Sequence, residues 1–338
     1  MTMGIDEYID TFQGFYIIGC AVRNRMIFGF VVDSYYTDVQ VEIEEENEYD
    51  PAYRPKRMLT HYRDDEPGDQ WGVTDYEGWS FIVIGSALLP KSQFLAAELY
   101  GKVHAVGSDE DSYDNSLIER KAGNPNGGGI RKLKQIGGYA YICGGARSVG
   151  KRLADGEWLS HTDAFPSHPE IGRDGFDDID GFSETDIYAG GGMGDVWRYD
   201  GKRWMQVDFP SNSWIQAICC GADGNVYISC YEGLIFAGRE NQWTKIHDGG
   251  ISLGFRDMVW YEDRVWCTND YGFWTIHNGA LTQVTDLPSK ILVCAGRLST
   301  GDGVLLAAGL RGAAFLENGK WNSIFLRSEM EKIVKNMS

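Results

Sequence analysis

The sequence lacks the features that mark several large functional classes. It has no apolar run long enough to cross a bilayer, because its longest stretch, Trp79 to Leu89, is broken by Ser80, Gly85 and Ser86. It has no CxxC. Its cysteines, Cys20, Cys143, Cys219, Cys220, Cys230, Cys267 and Cys294, are odd in number and fall mostly inside apolar, strand-like runs. That pattern predicts reduced, buried thiols rather than a disulfide frame or a zinc site. HExxH is absent, so the usual signature of zinc peptidases is missing. Positive charge is scarce: 31 Lys and Arg face 49 Asp and Glu, a net charge of −18. A basic face for nucleic acid or an anionic membrane is not expected, and neither is taken as a partner. The start, MTMGIDEYIDTF, has no Lys- or Arg-led apolar core, so no secretory leader is expected. Together these features predict a cytoplasmic protein.

Glycine and aromatics are plentiful. The 43 glycines in 338 residues are about 13% of the chain, against roughly 7% in ordinary domains. With 11 Trp, 18 Tyr and 15 Phe, this composition points to many short strands and tight turns.

An internal repeat gives those strands an order. The stretches DIYAGGGMGDVWRYDGKRWMQVD (186–208), NVYISCYEGLIFAGRENQWTKIHD (225–248) and RVWCTNDYGFWTIHNGALTQVTD (264–286) align. Each has two apolar runs joined by a short turn, then a polar tight turn and a third run. The third runs carry Trp158, Trp204, Trp243, Leu281 and Trp321 as markers. Asp155-Gly156, Asp200-Gly201, Asn278-Gly279 and Asn318-Gly319 precede four of them as two-residue hairpin signals. One further run precedes each unit, as in Trp214 to Cys220 and Phe255 to Tyr261. Four strands per repeat of about 39 residues is the arithmetic of a β-propeller blade.

The fold class predicted is all-β: a single propeller over residues 1–338, with seven four-stranded blades and six or eight as alternatives. Residues 132–326 hold five regular blades. Residues 1–131 hold irregular blades with insertions, their strands placed at 15–22, 26–32, 39–44 and 58–62, then at 79–85, 94–100, 103–107 and 117–121. Residues 327–338 form a short terminal helix, signalled by Ser328 and Glu331 as a capping box.

Two repeat families are similar. YICGG (141–145) and IYAGGG (187–192), followed by Tyr199 and Trp204, resemble kelch repeats, and VWCTNDYGFWTIHNG (265–279) resembles two-component-regulator propeller repeats. The resemblance implies architecture; propellers host enzymes, sensors and adaptors alike.

Local motifs read as structure. Gly145 to Arg152 nearly matches a phosphate-binding P-loop, but Arg152 stands where Ser or Thr must hold Mg²⁺, and the repeat makes the segment a turn between strands. Asp174, Asp177, Asp178 and Asp180 fail the EF-hand spacing and read as a solvated interblade loop. His104, inside an apolar run, reads as a satisfied core residue. No cofactor or metal is called for.

In a propeller, the turns between second and third strands and the connections between blades share one face. That places Arg147, Asp195, Tyr231, Glu232, Asp270, Tyr271 and Arg311 from the turns, and Asp177, Trp214, Phe255 and Arg256 from the connections, as candidate partner-binding residues. The acidic insertion with Glu44, Glu45 and Glu46 is a second candidate surface. This mixture of aromatics, Arg and acids suits protein recognition. The reading is a non-catalytic protein-binding propeller with a basic protein partner. In general character it is similar to immunity proteins that neutralise bacterial toxins. The alternatives are a hydrolase or lyase acting in the central channel, and a small-ligand sensor.

Overall fold

The computed structural model describes residues 3–35, 54–108, 110–115, 129–166 and 175–337. Seven antiparallel sheets of four strands follow one another along the chain, over residues 15–76, 82–115, 130–160, 178–206, 215–248, 257–284 and 297–326. Strands neighbour in chain order within every sheet. The first strand of each sheet contacts the first strand of the next, and that of the last sheet contacts that of the first. The sheets are therefore blades of a closed ring with their first strands around the axis: a seven-bladed β-propeller.

Radial stacking explains the sequence pattern. A second strand is covered on both faces by neighbouring blades, so it reads as a continuous apolar run instead of alternating. Gln93–Glu98, Asp186–Gly191 and Val304–Gly309 are buried throughout. The outermost strands Gln242–Asp248 and Ala280–Val284 are largely solvent-facing. Near the axis the blades converge, and there side chains run out of room. A Cβ at Gly85 would lie 2.0 Å from Leu133 Cδ2, in the next blade.

The aromatic markers begin or lie near the start of the outermost strands. Trp158 and Trp204 are buried, and Trp243 and Trp321 are half-buried against the interblade cores. Two of the four hairpin signals act as written: Asn278 and Gly279 have φ of 50° and 73°, and Asn318 and Gly319 have 51° and 72°. In Asp155-Gly156 and Asp200-Gly201 only the glycine has positive φ, and the latter pair opens a four-residue turn, 200–203.

The first two blades differ from expectation in their outer strands. In blade 1, Lys56–Tyr62 is the third strand and Trp71–Tyr76 the fourth. The fourth strand thus comes from a segment where none was placed, and the run at 39–44 lies outside the described residues. In blade 2 the fourth strand is Glu110–Asn115, ahead of the expected 117–121. Polar outer strands carry little apolar periodicity, which is why these were misplaced.

Three helices accompany the ring among the described residues: α1 (Ile5–Thr11), α2 (Ser289–Leu292) and α3 (Arg327–Met337). Helix α1 was not anticipated, although Ile5, Tyr8 and Phe12 have helical spacing. It packs with α3 where blade 7 meets blade 1. Among the described residues no strand is exchanged between these two blades. An apolar cluster joins them, with Tyr8, Phe12, Phe30, Leu306, Phe325 and Met330 among its members. Polar contacts reinforce this seam. Glu317 pairs with Arg63 at 2.9 Å and Arg25 at 3.0 Å, and Val22 N–H donates to Ser299 Oγ at 3.0 Å.

Candidate functional site

The first strands enclose a channel cavity of about 990 Å³. Its wall carries charge, and the charges are matched. Lys132 on blade 3 lies 3.8 Å from Asp178 on blade 4 and pairs closely with Asp257 on blade 6. Lys134 lies 3.7 Å from Asp180. Each of these carboxylates also accepts a backbone N–H from the following blade: Asp178 from Ile218 (2.8 Å), Asp180 from Cys220 (2.9 Å) and Asp257 from Leu298 (3.1 Å). Of the aspartates read as a solvated loop, Asp178 and Asp180 are therefore inner-strand staples, with Asp178 almost fully buried, and Asp174 lies outside the described residues.

The charge states follow from this geometry. Burial alone would lower Lys132, but Asp178 and Asp257 outweigh it and raise its pKa. Burial alone would raise Asp257, but Lys132 and Arg297 hold its carboxyl below the usual range. For Asp178 burial prevails and the pKa rises.

All seven cysteines are free thiols, and six are buried. Burial pushes Cys230 and Cys294 up to about 12, and the others also rise. Since the thiolate is the reactive form, the six buried thiols should resist a thiol-specific chromogenic reagent at neutral pH and react only on unfolding, whereas half-buried Cys220 is the one that can react in the native protein. Rapid native labelling of more than one thiol would contradict this burial.

The rim on the side of the second-to-third-strand turns is different in kind. Tyr271 is 80% exposed, Met193 68%, Tyr231 53% and Leu253 45%. These come from neighbouring connections of blades 4 to 6, and hydrogen bonds tie those connections together. Met193 bridges Trp214 in antiparallel fashion, and Ile215 N–H donates to Gly192 O at 3.3 Å. Tyr231 N–H donates to Trp214 O and Ile251 N–H to Glu232 O, both at 2.9 Å. Asn269 then donates from Nδ2 to Leu253 O at 3.1 Å and accepts the Tyr271 N–H at 2.9 Å. The Trp214 and Tyr231 rings stack at 6.2 Å. The result is one continuous shelf from Gly192 to Tyr271.

The candidate residues separate on this geometry. Trp214, Tyr231, Glu232, Arg256, Asp270 and Tyr271 lie on the shelf, with Arg256 and Asp270 paired at 2.6 Å. Asp177 is half-buried and held by Arg131 at 2.8 Å. Arg311 is exposed on blade 7, and its carbonyl accepts the Arg327 N–H at 3.0 Å. Arg147, Asp195 and Phe255 do not reach the surface. Arg147 Nε and Nη2 donate to Asp195 at 2.6 and 3.0 Å, which fixes the turn around Gly145. Phe255 is 1% exposed and packs in the core between blades 5 and 6. Turn position alone did not reveal which way these side chains point. Glu44, Glu45 and Glu46 lie outside the described residues. Met193 and Leu253, whose turns were identified by the repeat, complete the shelf. His104 is a satisfied core residue as expected, with Tyr76 Oη 2.6 Å from Nδ1 and Asp111 at Nε2.

No family model matches the chain. It is 29% identical over 247 residues to the Immune protein Tsi7 of Pseudomonas aeruginosa, an alignment that spans 73% of this chain and 80% of that protein. Among solved structures, the WD40 β-propeller domain of Doa1 superposes with a TM-score of 0.59 at 11% identity, covering 88% of this chain and 90% of that one. The structure of YCF48 bound to D1 peptide superposes with a TM-score of 0.57 at 12% identity, covering 89% and 93%. These likenesses support the propeller architecture, although the chain itself has no Trp-Asp dipeptide.

Proposed function

We propose that this chain is a cytoplasmic immunity protein that neutralises a basic protein toxin by binding it stoichiometrically, without catalysis. The similarity to the Immune protein Tsi7 carries the reading, since it extends over nearly three quarters of the chain. Three features support it. A net charge of −18 favours encounter with a cationic protein. The shelf has the aromatic, Met and Arg character of an interface centre. The cavity carboxylates Asp177, Asp180 and Asp257, and Asp178 behind them, each face a cation, which ties these groups to holding the ring.

The test is capture of partners from the source cells on the tagged protein, at low and high salt. A basic protein retained in one-to-one stoichiometry, eluted by salt, and toxic when produced without this chain is the expected result. A partner held equally well at both salts, or none at all, would sink the reading.

A further inference from the structure

Resting on that binding reading, we propose that the shelf of blades 4 to 6 is the recognition centre, and that its occupant is a cationic-apolar segment of the partner, in which an Arg or Lys side chain stands beside a bulky apolar one. Three independent observations converge there.

The first is exposure without a partner inside the chain. Met193, Tyr231, Leu253 and Tyr271 face solvent together, whereas scattered single apolar residues are the norm on a protein surface. They offer an apolar landing area and open aromatic faces, which attract cations as well as hydrocarbon.

The second is charge. Glu232 and Asp208 are exposed on the same connections, and Asp248 beside them is paired with Lys245. The shelf cation Arg256 is already matched by Asp270. The field over the shelf therefore favours an incoming cation.

The third is preorganisation. The backbone bonds that run from Gly192 to Tyr271 hold the connections before any partner arrives, so little ordering remains to oppose association. Glu232 shows this most sharply. Its φ of 59° and ψ of 18° put a non-glycine residue in the left-handed region, where such residues are uncommon and cluster at functional positions. The equivalent turn of blade 3 holds Ala146 in the same region (φ 53°, ψ 29°), so the conformation belongs to the turn and is in place before any partner arrives.

A random peptide library displayed on phage tests the proposal without needing the natural partner. It is panned on the intact chain and, in parallel, on the Tyr231→Ala/Tyr271→Ala double variant, with folding of each checked by circular dichroism. Sequences pairing Arg or Lys with a bulky apolar residue should be enriched on the wild type. Synthetic versions should lose about 10-fold or more in affinity to Tyr231→Ala and to Tyr271→Ala. Glu232→Gly should weaken binding while leaving the fold intact. Tyr100→Ala, an exposed tyrosine on blade 2 of the same face, should change affinity less than about 3-fold. No enrichment over the double variant, enriched peptides without cations, or indifference to both tyrosines would overturn the proposal. Success here alongside failed salt-sensitive capture would sink only the toxin-binding reading, and the converse would sink only the shelf.

Discussion

Replacing Arg147 with alanine should lower the stability of the ring by about 3–5 kcal/mol, the cost of leaving a buried charge without its partner. The guanidinium and the Asp195 carboxylate are 6% and 4% exposed. They meet through two nitrogens, and Arg147 Nη1 also donates to Pro166 O at 3.0 Å. Asp195 in turn accepts the Trp197 indole N–H at 2.9 Å. Urea unfolding of Arg147→Ala measures the loss directly. The double variant Arg147→Met/Asp195→Leu should recover much of it, because replacing both members of a buried pair with apolar groups removes the uncompensated charge. A loss below about 1 kcal/mol in the single variant would mean that water, not Asp195, satisfies the guanidinium.

A comparable loss, about 3–5 kcal/mol, is expected for Phe12→Ala. Phe12 is fully buried. Its ring meets Phe325 of blade 7 at 4.3 Å and Trp71 and Phe30 of blade 1 at 5.2 and 6.1 Å. The cavity left by truncation would open across both sides of the seam, so neither blade alone can collapse to fill it. Ile9→Ala, at a 36% exposed position of helix α1, which Phe12 caps, should stay within about 0.5 kcal/mol by the same measurement. Equal effects at the two positions would show that helical propensity, and not packing at the seam, is what α1 contributes.

The sequence disclosed the ring because its signals recur. An Asn-Gly turn or a marker Trp carries limited information once, but five markers at nearly constant spacing specify both the strand count per blade and the order of the blades. Blades 1 and 2 lack that regularity, and there the outer strands Trp71–Tyr76 and Glu110–Asn115 went unseen because water, not a neighbouring blade, covers one side of them. The candidate surface was legible to the level of the turn. Tyr231, Tyr271 and Trp214 are where the repeat put them. Arg147 and Asp195 share equivalent turns yet point inward, because each satisfies the other, and two charges far apart in sequence give no local sign of pairing. The lysine-aspartate staples were hidden for the same reason: Lys132 and Asp257 are 125 residues apart.

The unshared seam has a consequence for how the molecule comes into being. Every blade is made of four consecutive strands, so each can assemble from contacts close in sequence, which form fast because little chain must be looped. A ring that borrowed a strand from its far end would have to keep its first blade unfinished until synthesis ended. Here blade 1 has all four strands once Tyr76 has been made, and later blades can stack on it in order as they emerge. Only the seam waits for the last helix. The final act of folding is then the docking of α3 and blade 7 on α1 and blade 1, which makes this junction the place where a nascent or stressed ring stands open.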